Sequence, residues 1–217
     1  MFPLRDVIPS RTFPYITITI IVLNVLAWLF ELGQGEYLPA FLQTFGVVPA
    51  DLRLSTLITS MFLHGSWMHI ITNMWYLWIF GDNVEDRVGH GRYIVFYLLC
   101  GVAAALGQVA MDPTSPVPTV GASGAIAGVM GAYFVLYPRS RVLTLVPIFF
   151  YIEIIELPTI ILLGFWFLLQ LFSVGAVSYT SNQGGVAFAA HVAGFVVGAI
   201  GIFLFRKPQA PAWETRS

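Results

Sequence analysis

Two side chains in this sequence are placed to do chemistry on each other: the hydroxyl of Ser123 and the imidazole of His191. Ser123 lies in Val120-Gly121-Ala122-Ser123-Gly124, at the start of an apolar helical run that stops at Tyr137-Pro138-Arg139. Ser123 to Tyr137 is fourteen steps, and so is His191 to Phe205, which precedes Arg206. Each interval is about 21 Å of helix, so both groups lie at one depth from one face of a bilayer. A neutral imidazole within about 3 Å makes a serine a nucleophile. A helix N-terminus offers free N–H groups and a positive dipole end to the oxyanion of acyl transfer.

His69 and Asn73 are four residues apart and share a helix face, with His64 a turn or more above. They can supply side-chain donors to an oxyanion if their helix faces Ser123. Each feature also has a plain structural reading. Ser123, Ala127, Gly131 and Gly124, Gly128, Ala132 form small-residue rows of the kind that let helices approach closely. The His64, His69 and Asn73 trio could equally be a hydrogen-bond network between helices. No acidic residue is expected at the depth of His191, because Glu31, Glu36, Asp51 and Asp112 fall at loop positions. The arrangement reads as a dyad, not a triad.

The elements that must position these groups are membrane spans. Hydrophobic residues make up 58% of the chain and charged residues 10%, against roughly a quarter charged in a soluble domain. This composition excludes a soluble domain, and the near-neutral charge gives no sign of nucleic acid. Six apolar segments are expected, at about Tyr15–Leu32, Leu57–Phe80, Tyr93–Met111, Ser123–Tyr137, Thr159–Ala176 and Gly185–Phe205. Nine of the ten basic residues flank one side of these spans, and only Arg53 falls on the other. The positive-inside rule then puts both termini in the cytoplasm. The absence of a targeting presequence points to a prokaryotic plasma membrane. The one cysteine, Cys100, lies in an apolar run and reads as a packed side chain.

A fourth span this short cannot cross a bilayer core of about 30 Å alone. Its first residue must lie inside the hydrocarbon layer, preceded by the irregular stretch Asp112–Thr119. Backbone of that kind is tolerated only within protein or beside a wet cavity. Residues 1–14 read as a polar lead-in, with Phe2, Val7, Ile8 and Phe13 along the interface. The apolar outer loop Gly33–Leu54 reads as partly embedded, with a short helix Pro39–Phe45. Gly81–Gly89 reads as a tight turn with a Glu85–Arg87 pair. Leu143–Ile155 reads as an interfacial excursion, broken by Pro147. The fifth span, aromatic at Phe165, Trp166, Phe167 and Phe172, lacks a small-residue row and is expected to be the most loosely attached.

The motifs together resemble the rhomboid family of intramembrane serine proteases. The resemblance rests on Gly121-Ala-Ser123-Gly124, His64…His69…Asn73, Gly81-x-x-x-Glu85-x-x-x-Gly89 and Ala190-His191-x-x-Gly194-x-x-x-Gly198, in that family's order. It implies an all-α membrane bundle of six transmembrane helices, with a short central fourth helix starting at the nucleophile. It implies a cytoplasmic segment 1–14, a catalytic domain 15–205 and a cytoplasmic tail 206–217. Ser123 would be the nucleophile and His191 the general base. His69, Asn73 and the Ser123 amide would form the oxyanion hole, supported by His64, Gly121 and Gly124. Neither metal nor other cofactor is implied. The expected partners are single-pass or multi-pass membrane-protein substrates within the lipid bilayer, cut in or near a locally unwound transmembrane segment. A small residue is expected before the cut. Access is expected past the fifth span, with Val177–Gly184 as a lid and the active site open to the outer side.

Two departures accompany the resemblance. The first outer loop lacks the Trp-Arg pair common in rhomboids. The residue four after the nucleophile, aromatic in some members and stacked on the imidazole, is Ala127. The imidazole must then be oriented by other contacts. Two rival readings are an inactive rhomboid-like binding protein, whose members typically lose the serine or histidine, and a channel or transporter lined by His64, His69, Asn73 and His191.

Overall fold

A computed structural model describes residues 1–148, 151–177 and 187–207. In chain order these form strand β1 (Phe2–Asp6) and helices α1 (Tyr15–Leu32), α2 (Leu38–Phe45), α3 (Thr56–Thr59), α4 (Trp67–Val88), α5 (His90–Met111) and α6 (Ser123–Leu136). Strands β2 (Arg141–Ile148) and β3 (Tyr151–Pro158) and helices α7 (Thr159–Val177) and α8 (Phe188–Phe205) follow. The six apolar segments of the sequence correspond to α1, α4, α5, α6, α7 and α8. Of these, α1, α5 and α8 are long and apolar enough to cross a membrane, and α6 and α7 are shorter apolar helices.

The bundle is organised around α6, whose residues from Gly124 to Tyr133 are all buried. It packs on α8 with almost no side chain between the two backbones. A Cβ on Gly198 would stand 1.9 Å from the Gly128 carbonyl oxygen, and one on Gly194 would stand 2.1 Å from that of Gly124. A Cβ on Gly131 would stand 2.1 Å from the Phe195 oxygen. Only glycine permits that approach, which is the close-packed geometry that small residues allow. Gly124 and Gly128 of one row and Gly131 of the other therefore make the contact, while Gly201 turns away toward Phe96 on α5.

The segment Leu57–Phe80 is not one helix. It breaks after α3 and restarts at α4, where Ser66 caps the helix by accepting the His69 N–H at 3.2 Å. Gly65-Ser66 supplies that stop and start, since serine competes for backbone donors best at an N-cap. At its other end α4 runs on through Gly81–Val88, replacing the expected tight turn. Glu85 is fully buried and does not pair with Arg87. Its carboxylate instead accepts the N–H groups of Ile16 and Thr17 and the Thr17 hydroxyl, at 2.7 to 2.9 Å, capping α1 from a distance. Arg87 donates to the Lys207 carbonyl at 2.7 Å.

Two further expectations change. Phe2–Asp6 and the excursion after α6 join in a three-stranded antiparallel sheet of order β1-β2-β3. The alternation Val142, Thr144 suits a half-buried strand, and both are fully buried. Pro147 is tolerated in the central strand because it lies beyond Leu145, the last residue of β2 in register with β1. Trp75 donates to the Pro3 carbonyl at 2.7 Å, and Tyr133 and Asn83 donate to Asp6 at 2.6 and 2.9 Å. The helical bundle thus carries a small sheet where α1 begins and α6 ends.

Candidate active site

Ser123 is the first residue of α6, and its Oγ lies 2.8 Å from Nε2 of His191 on α8. The glycine contact between the helices sets this distance, because it fixes both their separation and their axial register. The first intrahelical bond of α6 runs from the Ile126 N–H to the Ala122 carbonyl, at 3.0 Å. The N–H groups of Ser123, Gly124 and Ala125 therefore precede the helix's own acceptors.

The irregular chain ahead of Ser123 is held by the outer loop. Val47 and Thr119 exchange backbone hydrogen bonds at 3.0 and 2.8 Å. The Ala50 N–H donates to the Ser115 carbonyl, and the Gly121 N–H donates to that of Ser60 at 2.9 Å. Gln43 donates to the Pro116 carbonyl at 3.0 Å. The expected short helix is α2, and Phe41 packs against Phe30 at 5.7 Å. These contacts anchor the loop that lacks the Trp-Arg pair.

His69 faces the serine across Gly121. The Gly65 N–H points at His69 Nδ1 at 3.4 Å, which leaves Nε2 as the protonated donor. Gly121 has φ +131°, and a Cβ there would lie 2.7 Å from His69 Nε2 and 3.5 Å from Ser123 Oγ. The missing side chain leaves open the space between Ser123 Oγ and His69 Nε2. Asn73 is buried, and its Nδ2 has no hydrogen-bond partner among the described residues. A cavity of about 30 Å³ adjoins Ser123, bounded also by Ser60, Gly121, Gly124 and Ala190, which is room for a water molecule.

His64 does not belong to α4. It lies in the break before α4, 1% exposed, with its ring 5.1 Å from that of His69 in an edge contact. Its N–H donates to both oxygens of Glu31 at 3.1 Å. Glu31 is not a loop residue. It closes the last turn of α1 with no exposed surface.

The imidazole of His191 is oriented by α7. Its Nδ1 lies 2.8 Å from Gln170 Oε1, and its ring lies 5.8 Å from Trp166 at an interplanar angle of 33°. Phe188 meets its edge at 6.5 Å. The sequence reading missed Gln170. The available signal was the one side-chain amide in an otherwise apolar helix, since a strongly polar group in a span needs a partner. The expected lid, Val177–Gly184, falls outside the described residues except at Val177.

Known proteins are similar to this chain in sequence. The Rhomboid domain profile matches residues 51–208. The chain is 32% identical over 209 residues to the rhomboid protease GluP of Bacillus subtilis, covering 94% of this chain and 37% of that protein. It is 28% identical over 131 residues to the mitochondrial rhomboid protein 1 of Saccharomyces cerevisiae, covering 58% and 38%. It is 29% identical over 126 residues to the putative rhomboid protease YdcA of B. subtilis, covering 57% and 62%. The chain thus spans less than two thirds of each of these relatives. With matches at this coverage, and with the motif-bearing helices in the family's order, the chain belongs to the rhomboid family of integral membrane proteins.

Proposed function

We propose that this protein is an intramembrane serine endopeptidase that hydrolyses peptide bonds in or near transmembrane segments of membrane proteins. The observation that carries the reading is the 2.8 Å approach of Ser123 Oγ to His191 Nε2 at a helix N-terminus. His191 takes the Oγ proton as Oγ attacks the substrate carbonyl carbon. The developing oxyanion accepts hydrogen bonds from His69 Nε2, Asn73 Nδ2 and the Ser123 N–H. Such preorganised donors lower the barrier most in a site that excludes bulk water. His191 then protonates the leaving amine, and the acyl-enzyme is hydrolysed by water that His191 deprotonates.

In this reading α1, α4, α5, α6, α7 and α8 are the six membrane segments, with α6 starting inside the bilayer, and both termini face the cytoplasm. The catalytic domain covers residues 15–205, between a cytoplasmic segment 1–14 and a tail 206–217. The serine is reached from the outer side. A substrate helix enters past α7, unwinds locally and presents its carbonyl to Ser123. Reconstitution of the purified protein in vesicles with a transmembrane substrate tests the reading. Two product fragments meeting within or beside the hydrophobic stretch are expected. An intact substrate in vesicles where the protein is folded would contradict it.

A further inference from the structure

The access helix of the proposed protease also holds its base. Trp166 and Gln170 are one turn apart on α7 and share a face. Both meet the His191 ring, one by ring contact and the other by hydrogen bond. One residue after Trp166, Phe167 stacks on Phe195 at 4.7 Å. Phe195 lies one turn beyond His191 on α8. Two successive turns of α7 therefore grip two successive turns of α8, with the imidazole inside the grip.

The chemistry of the pair sets a direction. Oε1 of an amide is an acceptor only, so a bond to it requires the proton on Nδ1. A neutral imidazole protonated at Nδ1 carries its lone pair on Nε2, the atom facing Ser123. The opposite tautomer would present an N–H to the hydroxyl and could not accept its proton. An aspartate performs this orienting task in the serine protease triad, and an asparagine performs it in papain-like cysteine proteases. A neutral amide does it without adding a second buried charge to a low-dielectric site.

We propose that Gln170 is a positioning residue that fixes the reactive tautomer and orientation of His191 from the access helix. Displacement of α7 then withdraws the imidazole's partner, so the serine is fully activated only while α7 is seated. This rests on the protease reading and deepens it.

The test pairs two readouts on purified protein in lipid. The first is the rate at which a fluorophosphonate probe acylates Ser123, per folded molecule, with kcat and KM for a transmembrane substrate. The second is the nitrogen NMR signature of His191 with labelled histidine, assigned against His191→Ala. The parental protein should label at Ser123 and show a proton on Nδ1. Gln170→Leu should slow labelling and kcat by about 10- to 100-fold, as for loss of an orienting partner, with KM unchanged. Gln170→Glu, which keeps an acceptor oxygen at the same reach, should recover most of that loss. Parental labelling rates in Gln170→Leu would overturn the proposal, as would a proton on Nε2 in the parental protein. The second criterion holds even if the leucine variant does not fold. Failure of the parental protein to label or cleave would instead count against the protease reading, and the tautomer would still be read independently.

Discussion

Glu85 and Thr17 form a cap between two helices: the carboxylate near the end of α4 receives both the N–H and the hydroxyl of the residue in the first turn of α1. Pro14 precedes α1 and gives it no side-chain cap. Orphan N–H groups at a buried helix start need acceptors, and a negative charge there also meets the positive dipole end. His90 adds a contact to the same carboxylate at 2.5 Å. Glu85→Ala strands the two buried donors of Thr17 and the part-buried N–H of Ile16 and should lower stability by about 2–4 kcal/mol. Glu85→Gln, which keeps one acceptor, should cost less. Thermal unfolding in detergent measures both, and a parental midpoint for Glu85→Ala would refute the capping role.

The small-residue rows make a sharper prediction. Gly198→Ala drives a methyl into the Gly128 backbone, where no flexible side chain can yield. It should cost about 3 kcal/mol or more and abolish cleavage, because the same contact registers Ser123 against His191. Gly201→Ala meets the Phe96 ring at an ordinary 3.7 Å and should shift stability by less than about 0.5 kcal/mol. Comparable midpoints for the two variants would remove the packing account.

These rows were legible in the sequence because a period of three to four small residues has few other meanings in an apolar helix. The approach of Ser123 to His191 was legible for a related reason, since polar groups in spans need partners or a function. Glu31 was misplaced because its position at the end of an apolar run looks like a loop boundary. Only the fold reveals that the His64 N–H arrives there. Gln170 went unread because its partner lies twenty-one residues ahead, on a helix whose orientation the sequence does not fix. The sheet was missed for the same physical reason. Strand pairing between Phe2–Asp6 and Arg141–Ile148 is a contact between distant segments, which no local pattern specifies.

The proposed oxyanion donors should separate by their effect on rate. Asn73→Ala and His69→Ala should each lower kcat by a factor of up to about 10²–10³. Gly121→Ala should be severe without removing any donor, because its methyl displaces the His69 ring and φ +131° disfavours a side chain. Steady-state kinetics on folded protein reads all three. An unchanged kcat in Asn73→Ala would exclude that side chain from the oxyanion hole.

The small sheet should respond to pH through Asp6. Burial pushes its carboxyl up to about 6 from 3.8, opposed by the hydrogen bond from Tyr133. A carboxyl whose pKa rises on folding stabilises the fold fully below its unfolded value, and that stability is lost as pH rises through the folded value. The thermal midpoint should therefore fall between about pH 4 and pH 6 by more in the parental protein than in Asp6→Asn. Parallel midpoint curves for the two proteins would show that Asp6 is not the linked group.

The central claim is that one hydroxyl and one imidazole perform the cleavage. Its most direct measurement compares parental protein, Ser123→Ala and His191→Ala on one transmembrane substrate, in vesicles where thermal unfolding shows all three to be folded. The account predicts cleavage by the parental protein and none above background by either variant. Cleavage by either variant at the parental rate would contradict it.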